Sequence, residues 1–379
     1  MIFQKICSAN DEFSTLMTSN PKMLAGGAVS RSMTVDFLKA VASQFIVLHH
    51  LVAYGPLSEQ VRKAAPRYID WMYDYGRWAP QVFLVIAGFL VARGCAPSGV
   101  WTGGTLWQAV KNRYLRLILP YIAALILAVV VAAIVRPWLV GDMTPPPPTW
   151  QQWAAHLLLA QNLMNYDALS VGVWYIAIDF QLFVMMTMLL WVGKLSLASS
   201  SRWKFFPLAL IGIGMSASLL FFNRHDSLND YAIYFFGTYS LGAVAYWLGQ
   251  APLRKAYGWL LAVAFLVVIA LMLEFRGRLV LASIVALMLF CQQRHFWHGR
   301  WFFQKQITLL GKISYALFLV HFPILLLANM VCVRWDIHRH GSSTACATAA
   351  WLTSIGVAWL FYRWVEVPCA KLGRRSVAE

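Results

Sequence analysis

The sequence predicts an all-α fold: a polytopic membrane bundle of about ten transmembrane helices. Three observations carry this. Of 379 residues, 60% are hydrophobic and only 12% charged, about half the charged share of a soluble chain. Apolar windows of about 17–25 residues, long enough to cross roughly 30 Å of hydrocarbon, recur ten times. They centre near Phe45, Ile86, Ala124, Leu182, Gly214, Ser240, Phe265, Val285, His321 and Ser354. The basic residues then divide unevenly between alternate connecting segments. Twenty of the 31 Lys and Arg residues fall on the side of the N-terminus and ten on the other, with Lys39 inside the first helix. Lys and Arg concentrate in cytoplasmic loops, so both termini are expected in the cytoplasm. The formal charge of +16 therefore reads as membrane topology and not as a nucleic-acid footprint.

Residues 1–34 hold no apolar core followed by a cleavage site and are expected to form a flexible cytoplasmic tail. Residues 35–371 make the transmembrane domain, and 372–379 a second cytoplasmic tail. The longest loops are outer ones, Pro56 to Arg77 and roughly Arg136 to Gly172. The first is dense in aromatics, "AAPRYIDWMYDYGRW", which suits either sugar stacking or an interfacial aromatic belt. The second contains "TPPPPTW", a polyproline II spacer, followed by "WQQWAAHLLLAQNL". That segment has helical apolar spacing and is expected along the outer interface. The six cysteines show no metal-ligand spacing, and no metal is expected. Cys332 and Cys346 flank an outer loop, where a disulfide or two isolated thiols both fit.

The first helix, "VDFLKAVASQFIVLHHLVAYG", carries Asp36, Lys39, His49 and His50 at a depth where a charge costs roughly 2.5–3.5 kcal/mol. Eleven residues separate Lys39 from His50, within about 20° of three full turns, so the two share a face roughly 16 Å apart along the axis. Asp36 precedes Lys39 by three residues and can pair with it. Snorkelling of Lys39 and a structural hydrogen bond at His50 are the bland alternatives. His321 stands near the middle of the ninth window with Ser314 two turns before it. Asp179 is a lone acid within a helix, suited either to orienting a histidine or to a structural pair.

"DFLKAVASQFIVLHH" resembles the first helix of the acyltransferase-3 family of integral membrane acyltransferases, whose pattern is an Asp, then Arg, ten residues and a His. Here Lys39 takes the Arg position, keeping charge but losing the bidentate fork. Further blocks follow in the family's order. "QVFLVIAGFLVARG" resembles its second-helix block, with Ala87 for Ser, and "KNRYLRLILPY" its Arg-x-x-Arg block, through Arg113 and Arg116. "VWYIAIDFQLF" resembles its Trp-Tyr segment, with Asp179 where Glu is frequent. "ISYALFLVHFPIL" matches through Ser314, Tyr315 and His321, and "WVEVPCAK" through Glu366 and Pro368. The resemblance spans about Val35 to Lys371.

It implies an O-acyltransferase of a bacterial cytoplasmic (inner) membrane. Such an enzyme takes an acyl group, usually acetyl from cytoplasmic acetyl-CoA, to a hydroxyl of a carbohydrate or lipid-linked glycan on the outer side. Coenzyme A carries phosphates, so Arg113 and Arg116, with Lys111 and the deeper Lys39, are the candidate donor-binding cations; positive-inside anchoring is their competing explanation. His50 is the candidate general base or covalent acyl carrier. Asp36, His321 and Asp179 complete the candidate catalytic set. A proton-coupled or glycan transporter using the same Asp, Lys and His as a relay is the alternative, although the chain shows no internal repeat.

Overall fold

The computed structural model describes residues 32–139, 144–199, 206–296, 301–337 and 340–371. The two expected tails, 1–31 and 372–379, lie outside the described residues. Helices stand at all ten apolar windows: α1 (Met33–Ala53), α4 (Pro80–Cys95), α5 (Leu106–Val135), α7 (Trp174–Ser199), α8 (Phe206–Leu220), α9 (Ala232–Gln250), α10 (Leu253–Leu273), α11 (Gly277–Gln293), α12 (Gln304–Arg334) and α13 (His340–Phe361). Among the described residues, three short α-helices lie between them: α2 (Pro56–Ala64), α3 (Pro66–Gly76) and α6 (Trp150–Leu157). Among the described residues, eight helical segments are long and apolar enough to cross a membrane. Of the ten, α11 is apolar but short, and α9, rich in Gly and Tyr, falls outside the eight.

Helix starts follow local chemistry. Ser32, Thr105 and Thr149 cap α1, α5 and α6 by accepting backbone N–H groups. Helices α2, α3 and α4 begin on proline, whose missing N–H costs nothing at a first turn. The core is apolar, with a scatter of polar groups set inside it. Asp36, Ser43, Asp179, Ser314, His321 and Asn329 are buried, while Leu261, Phe265 and Met272 of the peripheral α10 are exposed. An apolar rim around buried polar groups suits lipid as the solvent.

Two close crossings set the frame. Helices α4 and α9 touch backbone to backbone. A Cβ on Gly88 would lie 1.8 Å from the Tyr239 carbonyl oxygen, and one on Gly242 1.8 Å from that of Val85. Small residues of this kind let membrane helices approach without side chains between them. Helices α1 and α12 cross at Gly311, where a Cβ would meet the Asp36 carbonyl oxygen at 2.7 Å. These two run parallel, so both carry a histidine toward the same end. Asn329, fully buried on α12, accepts from the Leu57 N–H at 3.0 Å and so satisfies one orphan donor of α2.

The segment after α5 departs from the surface loop expected. Its helix α6 does not lie along the outer interface: Ala155 and His156 are fully buried. Tyr114, only eight residues into the thirty-residue α5, donates its hydroxyl to the Leu157 carbonyl at 2.7 Å. Gln181 of α7 donates to the Leu159 carbonyl at 3.1 Å. The chain therefore leaves α5 at Val135 and folds back to the level of that helix's first third before rising to start α7. Irregular backbone is tolerated at such depth only where its polar groups are met within the protein. Here His156 meets them: its Nδ1 donates to the Gln152 carbonyl at 2.8 Å, and its Nε2 accepts from the Leu169 N–H at 3.1 Å. Gln152 closes the loop by donating to the Asp167 carbonyl at 2.8 Å.

Candidate active site

The parallel crossing of α1 and α12 brings together two histidines 271 residues apart. His50 Nδ1 and His321 Nε2 are 2.6 Å apart, and the rings lie within 7° of parallel. The proton positions follow from the carbonyls around them. His321 Nδ1 lies 3.1 Å from the Leu317 carbonyl oxygen and 2.9 Å from that of Phe318. A carbonyl only accepts, so Nδ1 of His321 carries the proton and its Nε2 offers a lone pair. His50 therefore donates from Nδ1, which leaves the lone pair of a neutral His50 on Nε2. His321 is 1% exposed, whereas His50 keeps accessible surface. Pro323, two residues beyond His321, interrupts the hydrogen-bond ladder of α12.

Aromatic rings and one glycine enclose His50. The Tyr54 ring is 5.6 Å away and that of His49 5.3 Å, and His49 continues to Tyr73 at 5.9 Å. On another side the re-entrant loop delivers Gly172, at φ +90°, where a Cβ would stand 3.8 Å from His50 Cε1. That backbone conformation favours glycine. Ser314, two turns before His321 on α12, donates its hydroxyl to the Gly311 carbonyl at 3.0 Å.

The cations gather lower in the bundle. Arg113 of α5 and Asp179 of α7 form a salt bridge, with the Arg113 guanidinium 5.5 Å from the Phe183 ring centre. Asp179 is thus paired with an arginine and not with a histidine. Arg116, one turn further along α5, keeps exposed surface. Its charge and that of Lys39 both act on Glu366. Tyr315 fastens α12 to α5 at this level, donating to the Leu117 carbonyl at 3.1 Å. Lys111 is exposed near the start of α5, and Asp36 is buried in the first turn of α1.

Glu366 arrives by a local distortion. Tyr362–Glu366 forms one π-helical turn between α13 and Pro368. Proline lacks the N–H for the residue four before it and crowds that carbonyl, which favours a widened turn. Glu366 was visible in sequence through the closing block of the family resemblance, without a partner to give it a role. Tyr175, which packs edge-on to Phe318 at 5.5 Å, was likewise marked only by the Trp-Tyr segment of the resemblance, with no role attached. Gly172 lies two residues before α7, and Tyr175 and Asp179 follow it at about one-turn intervals. Gly172, beside the histidine pair, and Asp179 are thereby separated by roughly 10 Å.

No curated protein and no solved structure matches this chain. A family profile does: Acyl_transf_3, described as an acyltransferase domain, matches residues 34–363. That range takes in His50, Arg113, Arg116, Asp179 and His321 and stops three residues short of Glu366. On this match the chain belongs to the acyltransferase-3 family and is a multi-pass membrane acyltransferase.

Proposed function

We propose that the protein transfers an acyl group, acetyl in the first instance, from acyl-CoA on the cytoplasmic side to a hydroxyl of a carbohydrate or glycolipid. The acceptor approaches from the outer side of a bacterial cytoplasmic membrane. The observation that carries this reading is the histidine pair, in which His50 keeps accessible surface and has an unprotonated Nε2, roughly 16 Å along α1 from Lys39. A base at one end and cations at the other match a donor whose phosphates and thioester lie at opposite ends of a flexible arm.

The residues divide the work. Arg116 and Lys39 hold the phosphates of the donor, and Lys111 draws it electrostatically to the inner mouth. Arg113 keeps its partner Asp179 and fixes α5 against α7. Asp36 anchors the first turn of α1 below Lys39. His50 Nε2 takes the proton of the acceptor hydroxyl as its oxygen attacks the thioester carbon. The carbon–sulfur bond breaks and the proton passes from His50 to the departing sulfur. His321 accepts the His50 Nδ1–H throughout, orienting the ring and stabilising the imidazolium that forms. A covalent route, with the acyl group first on His50 Nε2, uses the same geometry.

The test is made with the purified protein in lipid, given radiolabelled acetyl-CoA and a mixed cell-envelope glycan extract. Label is expected on the glycan fraction, with one coenzyme thiol released for each acetyl transferred. Folded protein that neither binds acetyl-CoA nor releases coenzyme from it would overturn the donor assignment.

A further inference from the structure

We infer that the exposed face of α3 is the docking platform for the carbohydrate acceptor. Tyr68, Trp71 and Tyr75 seat the sugar rings, and Arg67, Asp70 and Asp74 bind their hydroxyls. This rests on the acyltransferase reading above and adds to it the place where the acceptor is held and the residues that hold it.

Helical spacing sets the pattern. Tyr68, Trp71 and Tyr75 stand at i, i+3 and i+7 and so form one stripe, while Arg67, Asp70 and Asp74 repeat that spacing on the adjoining face. All six are exposed, and the three aromatic residues keep between 44 and 50% of their surface. The other side of α3, Ile69, Met72 and Gly76, is buried against α1. Neighbouring rings hold the stripe in place. Trp71 packs edge-on to Phe45 of α1 at 5.9 Å and lies 5.8 Å from Tyr75, which meets Trp78 edge-on at 4.8 Å. Rings braced in this way lose little freedom when a ligand stacks on them.

Depth and charge separate this face from an aromatic belt in lipid. Helix α3 descends beside α1: Ile69 and Met72 pack with Val52. A Cβ on Gly76 would lie 2.8 Å from His49 Cβ and 3.3 Å from the Phe45 carbonyl oxygen. From Val52 to Phe45 is about 10 Å along α1, a helix long and apolar enough to cross a membrane. Asp74 and Arg77 are exposed at that depth, and charges so placed face water and not hydrocarbon. From Pro66 to Arg77 two arginines balance two aspartates, whereas a helix lying on anionic lipid has a basic polar face. Carboxylates that accept and guanidinium groups that donate suit the hydroxyls of a neutral sugar. Asp70 is held by Arg62 of α2 at 3.5 Å. Tyr73 then links the platform to the base, its ring 5.9 Å from that of His49, which is 5.3 Å from His50.

The experiment titrates the mixed cell-envelope glycan extract against the full-length protein in lipid, with radiolabelled acetyl-CoA in excess. Trp71→Leu and Tyr75→Leu are each expected to raise the half-saturating glycan concentration about tenfold, the usual loss for an aromatic anchor. The half-saturating acetyl-CoA concentration should not move. Trp71→Phe keeps a ring face and should stay within about threefold of wild type. Asp74→Asn should raise the half-saturating glycan concentration about fivefold and leave the melting temperature unchanged. In a lipid belt the same change takes a charge out of hydrocarbon and raises the melting temperature. Wild-type half-saturation by glycan in the folded variants, or a higher melting temperature in Asp74→Asn, overturns the inference alone and makes the stripe a membrane belt. No label on the glycan from folded wild type overturns the functional reading beneath it, and the inference with it.

Discussion

His50→Asn is expected to lower acetyl transfer by about 10²–10⁴-fold, the usual worth of a positioned general base, while leaving the melting temperature close to wild type. The side chain is chosen for its geometry. An asparagine Nδ2 falls near the position of the imidazole Nδ1 and can still donate to His321 Nε2, but nothing remains where Nε2 stood. His50→Ala removes both nitrogens. It leaves a buried acceptor on His321 unpaired, at a cost of about 1–3 kcal/mol. The two variants should therefore be equally inactive and differ in thermal stability. A non-catalytic scaffold predicts the reverse pattern, with His50→Asn stable and chemically unimpaired.

Asp179→Asn is expected to destabilise the protein by about 3–5 kcal/mol, because it leaves the Arg113 charge in the bundle without its counter-charge. The effect should be read as a fall in melting temperature in the same detergent. Replacing both partners by apolar side chains, Arg113→Met with Asp179→Leu, should restore much of the lost stability, since paired buried charges contribute little net beyond what good packing supplies. Activity should not return with it, because the level of Arg116, Lys39 and Glu366 depends on α5 and α7 being held in register. A melting temperature unchanged in Asp179→Asn would show that the pair does not hold these helices.

Helix positions were legible because hydropathy is a local property: each of the ten windows matches a helix, including the two outside the eight apolar enough to cross. The face shared by Lys39 and His50 was legible for the same reason, being fixed by the period of a single helix. What pairs with each was not. His50 and His321 are separated by 271 residues, and no local pattern announces a meeting that depends on α1 and α12 crossing at Gly311. Arg113 and Arg116 carry identical chemistry three residues apart. Only the arrival of Asp179 beside one and the charge of Glu366 near the other separates a half-buried strut from an exposed cation. The segment Trp150–Val173 was misread because an eight-residue helix after a polyproline run resembles any outer loop. Its depth is set by the hydrogen bonds of Tyr114, Gln181 and His156, which sequence does not display.

The central claim is that His50 and His321 act as one unit, and a double-variant comparison tests it directly. Coenzyme release from acetyl-CoA would be measured for wild type, His50→Asn, His321→Gln and the double variant, each reconstituted in the same lipid and checked for folding. If His321 acts only through His50, the His321 variant loses activity and the double variant is no slower than His50→Asn alone, as expected for residues in one catalytic unit. A His321 variant with wild-type turnover, or losses in the two single variants that multiply in the double, would contradict it.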